Sequence, residues 1–277
     1  MNRTLVVGRG FIGRAIAEAM RPDEVRLVSH AAIGDPDLLR GVATVIYAGR
    51  SPALGTDAWR LEDDLELTLA RLAAPAHVSL LSLGTRKVYA PFGGPLNETD
   101  RVGPTDLYGR QKLELEHALA AVLGQRLTRL RLANIIGYET ALGRTTFMAQ
   151  LLGGLARRGE IRFDVSPFVR RDFLPVAFCA RWLAELARRP PGGVLNIGSG
   201  VALPLGRLAL WVIEGYGRGR LVVESPDERD SFVLETRNLR SLLGGAACTV
   251  DDLAESCRAL GRRLRGAEGP AERHPAT

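Results

Sequence analysis

The chain has 277 residues, 46% of them hydrophobic and 25% charged, the balance of a soluble globular protein with room for one α/β domain or a domain plus a smaller lobe. No apolar run reaches the ~18 residues of a membrane span, and the stretch Thr4-Leu5-Val6-Val7 behind Met1-Asn2-Arg3 is too short for a secretory leader. The formal charge of +6 is carried by arginines interleaved with Asp and Glu, a pattern that argues against nucleic acid as a partner.

Three cysteines, Cys179, Cys248 and Cys257, are an odd number without ligand spacing, and His30, His77, His117 and His274 are scattered. Neither set forms a metal signature, so no catalytic metal and no disulfide are expected, and a reducing cytoplasm fits.

In chain order the first half alternates short apolar β-branched runs with helical patterns. Thr4 to Val7 is followed by a helix over Ile12 to Met20, and Val25 to Val28 is a second strand. Val42 to Tyr47 precedes a helix over Asp57 to Ala73, and Val78 to Leu83 precedes one over about 107 to 123. Leu127 to Leu132 closes the series. This alternation predicts crossover units, hence a doubly wound, mainly parallel sheet of the Rossmann kind covered by helices on both faces.

The second half is less regular. A helix near 145 to 158 leads into a Pro- and Arg-rich loop. Ala177 to Arg188 reads as a helix, Val194 to Ile197 as a strand, Leu205 to Tyr216 as a helix and Leu221 to Glu224 as a strand. The expected division is a dinucleotide-binding domain over 1–137 to which 172–199 return, a smaller C-terminal α/β substrate lobe from 138–171 and 200–265, and a disordered polar tail over 266–277.

Gly8-Arg9-Gly10-Phe11-Ile12-Gly13 has the G-x-G-x-x-G spacing. The spacing alone is weak, but here a strand enters it and a helix leaves it. In that context the glycines permit a tight turn, admit a pyrophosphate to the backbone and aim a helix N-terminus at its charge. An acid that would bind the ribose of NAD is due about 20 residues on. Ser29 and His30 stand at that strand end, and Asp35 and Asp37 come later. With Arg9 in the loop, the site is expected to take NADP, with NAD as the alternative.

Only two of the 37 basic residues are lysines, and Lys112 lies four residues after Tyr108. Residues four apart share a helix face, and an ammonium beside a phenol favours the phenolate, which suits a proton donor or acceptor. The plainer reading is a solvated face with an ion pair from Lys112 to Glu114 or Glu116.

Together these blocks resemble the extended short-chain dehydrogenase/reductase family, specifically its nucleotide-sugar epimerases, dehydratases and 4-ketoreductases. The resemblance runs from the glycine loop to about Gly244. It is carried by Thr85-Arg86-Lys87-Val88-Tyr89, by Pro95-Leu96-Asn97-Glu98-Thr99-Asp100, and by Pro104-Thr105-Asp106-Leu107-Tyr108-Gly109-Arg110-Gln111-Lys112. Later matches are Arg131-Leu132-Ala133-Asn134 with Gly137, Arg171-Asp172-Phe173-Leu174-Pro175-Val176, and Asn196-Ile197-Gly198-Ser199-Gly200.

The resemblance implies that Tyr108 is the acid/base on the sugar oxygen, that Lys112 holds the nicotinamide ribose, and that Thr85 bonds the same oxygen as Tyr108. It implies substrate contacts at Asn134, Arg171 and Arg229. It also places Ala48, Gly49 and Arg50 beside the cofactor, with Arg50 facing either cofactor or sugar. It further implies a homodimer through the helices 57–73 and 107–123.

One departure narrows the chemistry. Where similar 4,6-dehydratases have Asp and Glu after the threonine, this chain has Arg86 and Lys87, and cations cannot serve as the acid and base of an elimination. The expectation is NADPH-dependent reduction of a nucleotide-diphosphate-linked 4-keto-6-deoxy sugar. The alternatives are an epimerase on nucleotide sugars and a non-catalytic dinucleotide-binding sensor or scaffold.

Overall fold

The fold was analysed in a computed structural model, which describes residues 3–139 and 146–267. Six strands, β1 (Arg3–Val7), β2 (Val25–Val28), β3 (Val42–Tyr47), β4 (Ser79–Thr85), β5 (Leu127–Leu132) and β9 (Gly193–Ile197), form one sheet. Their order is β2-β1-β3-β4-β5-β9 and every pairing is parallel. The order reverses between β1 and β3, and the crevice at the C-terminal ends of those two strands is where open α/β sheets bind ligands.

Alternate side chains explain why these runs read as continuously apolar. Leu5, Val7, Val45, Tyr47 and Leu80 point to one face, which α2 (Leu65–Ala73) and α3 (Leu107–Leu123) cover. Val6, Ile46, Leu81 and Leu130 point to the other, which α1 (Phe11–Glu18) and α5 (Val176–Arg188) cover. Both faces of a parallel sheet are dry, so both need apolar residues.

The rest of the chain builds smaller sheets around α4 (Phe147–Arg158), α6 (Leu205–Tyr216), α7 (Arg237–Leu242) and α8 (Val250–Ala267). β8 (Arg170–Pro175) pairs in parallel with β6 (Asn134–Ile136) and antiparallel with β10 (Ala202–Pro204), while β11 (Arg220–Val223) runs parallel to β7 (Glu160–Phe163). The crossing of α6 and α8 is glycine-mediated: a β-carbon on Gly215 would lie 2.0 Å from the Arg258 carbonyl, and one on Gly261 2.1 Å from that of Val212.

Three expectations need correction. The helix expected over Asp57 to Ala73 begins only at Leu65, because Asp64 accepts from the Glu66 N–H as its N-cap and from Trp59 Nε1, which holds the preceding residues as a turn. The Pro- and Arg-rich loop contains β7 and β8, whose strand pairing comes from distant segments. Gly266 and Ala267, expected in the disordered tail, belong instead to α8; the rest of that expected tail, residues 268–277, lies outside the described ones. Among the described residues no helix is long and apolar enough to cross a membrane.

Candidate active site

Gly8 follows β1 with φ +118°, and a β-carbon there would lie 2.7 Å from the backbone of Ala48 and Gly49. The loop therefore closes against the turn after β3, pinned by hydrogen bonds from Gly8 N to Val28 O (2.9 Å) and from Ala48 N to Val7 O (2.8 Å). A β-carbon on Gly13 would sit 1.9 Å from the Gly8 carbonyl oxygen, so α1 can begin this close only with glycine. Gly10 is the N-cap, no side chain caps the helix, and no acid lies in its first turn. The leading N–H groups are thus free for an anion, which fits a dinucleotide pyrophosphate.

Phe11 lies against Gly137, where a β-carbon would come within 2.2 Å of its ring, and Ile12 packs on the core. Arg9 extends toward the end of β2, with Nη2 3.5 Å from the Leu27 carbonyl. There Ser29 leads into a 3-10 turn that begins at His30. The structure thus brings Arg9 to the strand end that carries Ser29 and His30, at the place where a cofactor's adenosine side is sorted.

Thr85 ends β4 and starts a 3-10 turn over Arg86–Val88, its Oγ1 accepting from the Lys87 N–H at 3.3 Å. The start of α3 packs on that turn: a β-carbon on Gly109 would lie 2.5 Å from the Lys87 carbonyl. Asp106 caps α3 by accepting from Gly109 N (2.7 Å), and its other carboxylate oxygen receives Lys87 Nζ at 2.5 Å. Thr85 and Tyr108 therefore stand on two elements in contact, both half-buried.

On its other side Tyr108 meets Arg50, whose guanidinium lies 5.3 Å from the ring centroid and donates to Leu54 O. Gln111 latches this segment to α3, accepting from Gly55 N (2.6 Å) and donating to Thr56 O (2.8 Å).

Lys112 is buried, and its ion-pair partner is neither Glu114 nor Glu116 but Glu66 of α2, with Nζ 3.9 Å from Oε2. Burial alone would lower the Lys112 pKa, but Glu66, then Tyr108, Asp64 and Glu116, more than offset it and hold the ammonium above its ordinary value. For Glu66, burial outweighs Lys112 and Ser82 and pushes the carboxyl up to about 7. Its Oε1 has no hydrogen-bond partner. Glu116 instead meets Arg131 of β5 at 2.9 Å, and that guanidinium lies 4.6 Å from the Tyr89 ring centroid.

Asn134 opens β6, opposite Phe173 of β8. Arg171, in β8, donates from Nε to the Asp230 carbonyl (3.1 Å) and places Nη2 3.5 Å from the Asp230 carboxylate. Arg86 reaches the other oxygen of that carboxylate at 2.5 Å. Arg86 and Asp230 line a cavity of about 280 Å3 together with Lys87, Tyr89, Phe92 and Asp106, and Arg171 reaches it only through Asp230. Arg229 is engaged elsewhere, with Asp164 (3.0 Å) and Asp227 (3.6 Å), and does not line this cavity. A second depression, of about 480 Å3, between Ser166–Phe168 and Val223–Glu228 holds none of the predicted residues.

Sequence reasoning did not find Glu66, Gln111 or Asp230. Glu66 had a usable signal: it shares a helical stripe with Leu69, Ala70 and Ala73, all buried, and a carboxylate on an apolar stripe needs a partner. Asp230 had none, because its partners are 144 and 59 residues away.

A Rossmann-like parallel sheet with a glycine cradle at its switch point has the form of a dinucleotide-binding α/β protein. The sequence model of the NAD dependent epimerase/dehydratase family matches residues 4–198, and the chain belongs to that family. No curated protein matches it significantly in sequence.

Its fold matches those of several solved structures, among them enzymes of nucleotide sugars. One is TunA, an NAD dependent NDP-hexosamine 5,6-dehydratase involved in tunicamycin biosynthesis, with a TM-score of 0.79, 19% identity and coverage of 96% of this chain and 98% of that one. Another is a UDP-N-acetylglucosamine 4-epimerase from Methanobrevibacter ruminantium M1 in complex with UDP-N-acetylmuramic acid, with a TM-score of 0.80, 17% identity and coverage of 96% and 99%. A third is RMD from Pseudomonas aeruginosa complexed with NADPH, with a TM-score of 0.77, 19% identity and coverage of 96% and 100%. At these identities the likeness is one of fold.

Proposed function

We propose that the protein is an NADPH-dependent ketoreductase acting on a nucleotide-diphosphate-linked 4-keto-6-deoxy sugar. The observation that carries this reading is the pairing of an intact Thr85, Tyr108 and Lys112 with two cations, Arg86 and Lys87, at the positions after Thr85. Both cations are held in ion pairs, Arg86 with Asp230 and Lys87 with Asp106. Neither supplies the carboxylate acid and base of a dehydration, and each is tied to a carboxylate of its own. A bound dinucleotide supplies the hydride; the chain supplies the rest.

Thr85 holds the substrate oxygen and Tyr108 gives it a proton as it gains charge. Lys112 faces the cofactor ribose and, as a buried cation, favours the phenolate left behind. The glycine cradle and Phe11, Ile12, Ala48 and Gly49 hold the dinucleotide. Arg9, Ser29 and His30 offer a cation and donors, with no acid at the β2 end, to the extra phosphate of NADP. The segments 138–171 and 200–265 form the substrate side, with Asn134 and Arg171 on the diphosphate. Leu65 and Leu72 of α2 are exposed, in keeping with a homodimer through α2 and α3.

The test is oxidation of NADPH by a nucleoside-diphosphate 4-keto-6-deoxyhexose, followed at 340 nm. Tyr108→Phe should lose about 10²–10⁴-fold in turnover while keeping dinucleotide binding. A variant with undiminished turnover overturns the role of Tyr108. Interconversion of sugars without added reductant would make the protein an epimerase, and a clear preference for NADH would overturn the cofactor assignment.

A further inference from the structure

Two arginines share one carboxylate, that of Asp230, which lines the cavity beside Arg86. Arg86 and Arg171 come from different strand ends, β4 and β8, and both side chains are largely buried, 15% and 16% exposed. The Arg86 guanidinium carbon lies 3.9 Å from the centroid of the Phe232 ring, a cation–π contact that limits its movement. Between them stands Asp230 with φ +64°, a left-handed backbone conformation that costs a non-glycine residue of order 1 kcal/mol.

Two guanidiniums on a single carboxylate leave one positive charge unbalanced, and Arg86 and Asp230 of this group line the cavity. Planar forks of this kind suit a group with several acceptor oxygens. Asp230 closes off the pair from a segment, residues 224–230, without helix or strand.

We propose that Arg86 and Arg171 form a clamp for the diphosphate of the substrate, and that Asp230 is a tethered placeholder which the diphosphate displaces. This rests on the nucleotide-sugar reading above and adds Arg86, the residue standing in for the dehydratase acid, to the binding site. Charge selects the ligand class. Asp230 is tethered and so competes at an effective concentration of order millimolar. A free monocarboxylate brings no more charge than Asp230 and cannot outcompete it. A diphosphate brings two charges and more oxygens, balances both arginines and releases the strained residue.

The full-length protein is titrated with inorganic pyrophosphate and with UDP, binding being read by calorimetry, and with glucuronate as the monocarboxylate. Asp230→Asn should bind pyrophosphate and UDP about tenfold more tightly, since removing the placeholder raises the competent fraction. Asp230→Gly, which suits the positive φ, should do the same and serves if the first variant does not fold. Arg86→Gln should bind about tenfold more weakly than the wild type. Unchanged or weaker binding in the Asp230 variants, undiminished binding in Arg86→Gln, or glucuronate competing as well as pyrophosphate would each overturn the proposal. The Tyr108→Phe protein should bind both anions like the wild type, so the clamp is judged separately from the reductase chemistry.

Discussion

Lys112 Nζ stands 3.9 Å from Glu66 Oε2 across the contact between α2 and α3, and both side chains are buried. The lysine proposed to hold the cofactor ribose is thus backed by a carboxyl whose charge burial disfavours. Glu66 holds its charge weakly, because water is excluded from it and one of its oxygens is unpartnered. Burial pushes this carboxyl up to about 7 against the pull of the Lys112 ammonium, so its charge is weakly held at neutral pH.

That pairing fixes a pH dependence of stability. The Glu66 carboxyl is raised on folding, so its contribution is fully present below the unfolded value near 4.5 and is lost as pH rises through about 7. From pH 4.5 to 8 the wild type should lose of order 3 kcal/mol through this group. Glu66→Gln should remove that slope. Urea unfolding of both proteins at pH 5 and pH 8 measures it, and parallel pH profiles would contradict the assignment.

The glycine loop tolerates no side chain where α1 starts. In Gly13→Ala the new carbon would meet the Gly8 carbonyl oxygen at 1.9 Å, and a backbone atom cannot swing aside as a side chain would. A displacement costing about 1–3 kcal/mol is expected, carried by the loop itself. The protein should fold yet bind NADPH at least about tenfold more weakly, as fluorescence titration would show.

Below the site, Arg131 joins Glu116 at 2.9 Å and stacks on Tyr89, whose hydroxyl donates to Asn196 Oδ1 at 2.7 Å. Arg131→Met leaves Glu116 buried without its counter-charge and should cost about 3–5 kcal/mol. Adding Glu116→Leu should recover most of it, since two apolar groups demand no solvation. Denaturant midpoints of the single and double variants give the comparison, and an unrecovered double variant would show that packing on Tyr89 matters more than charge.

The amino-acid sequence by itself determined the parts of this protein whose physics is local. Strand and helix periods, the glycine spacing between β1 and α1, the cap Asp106, and the four-residue step from Tyr108 to Lys112 depend on neighbours within a few residues. They appear in the structure with α3 at Leu107–Leu123. The tertiary structure decided which charges meet. Lys112 chose Glu66 over the two glutamates on its own helix because burial between α2 and α3 left a carboxylate there that needed a cation. Arg86 and Arg171 converged on Asp230, and Arg50 settled on Tyr108, across separations no periodicity records. The β7 and β8 strands were misread for the same reason: pairing with distant chain, not local propensity, determines them. The α2 start was misread on local grounds, because Trp59 and Asp64 close a turn ahead of the helix.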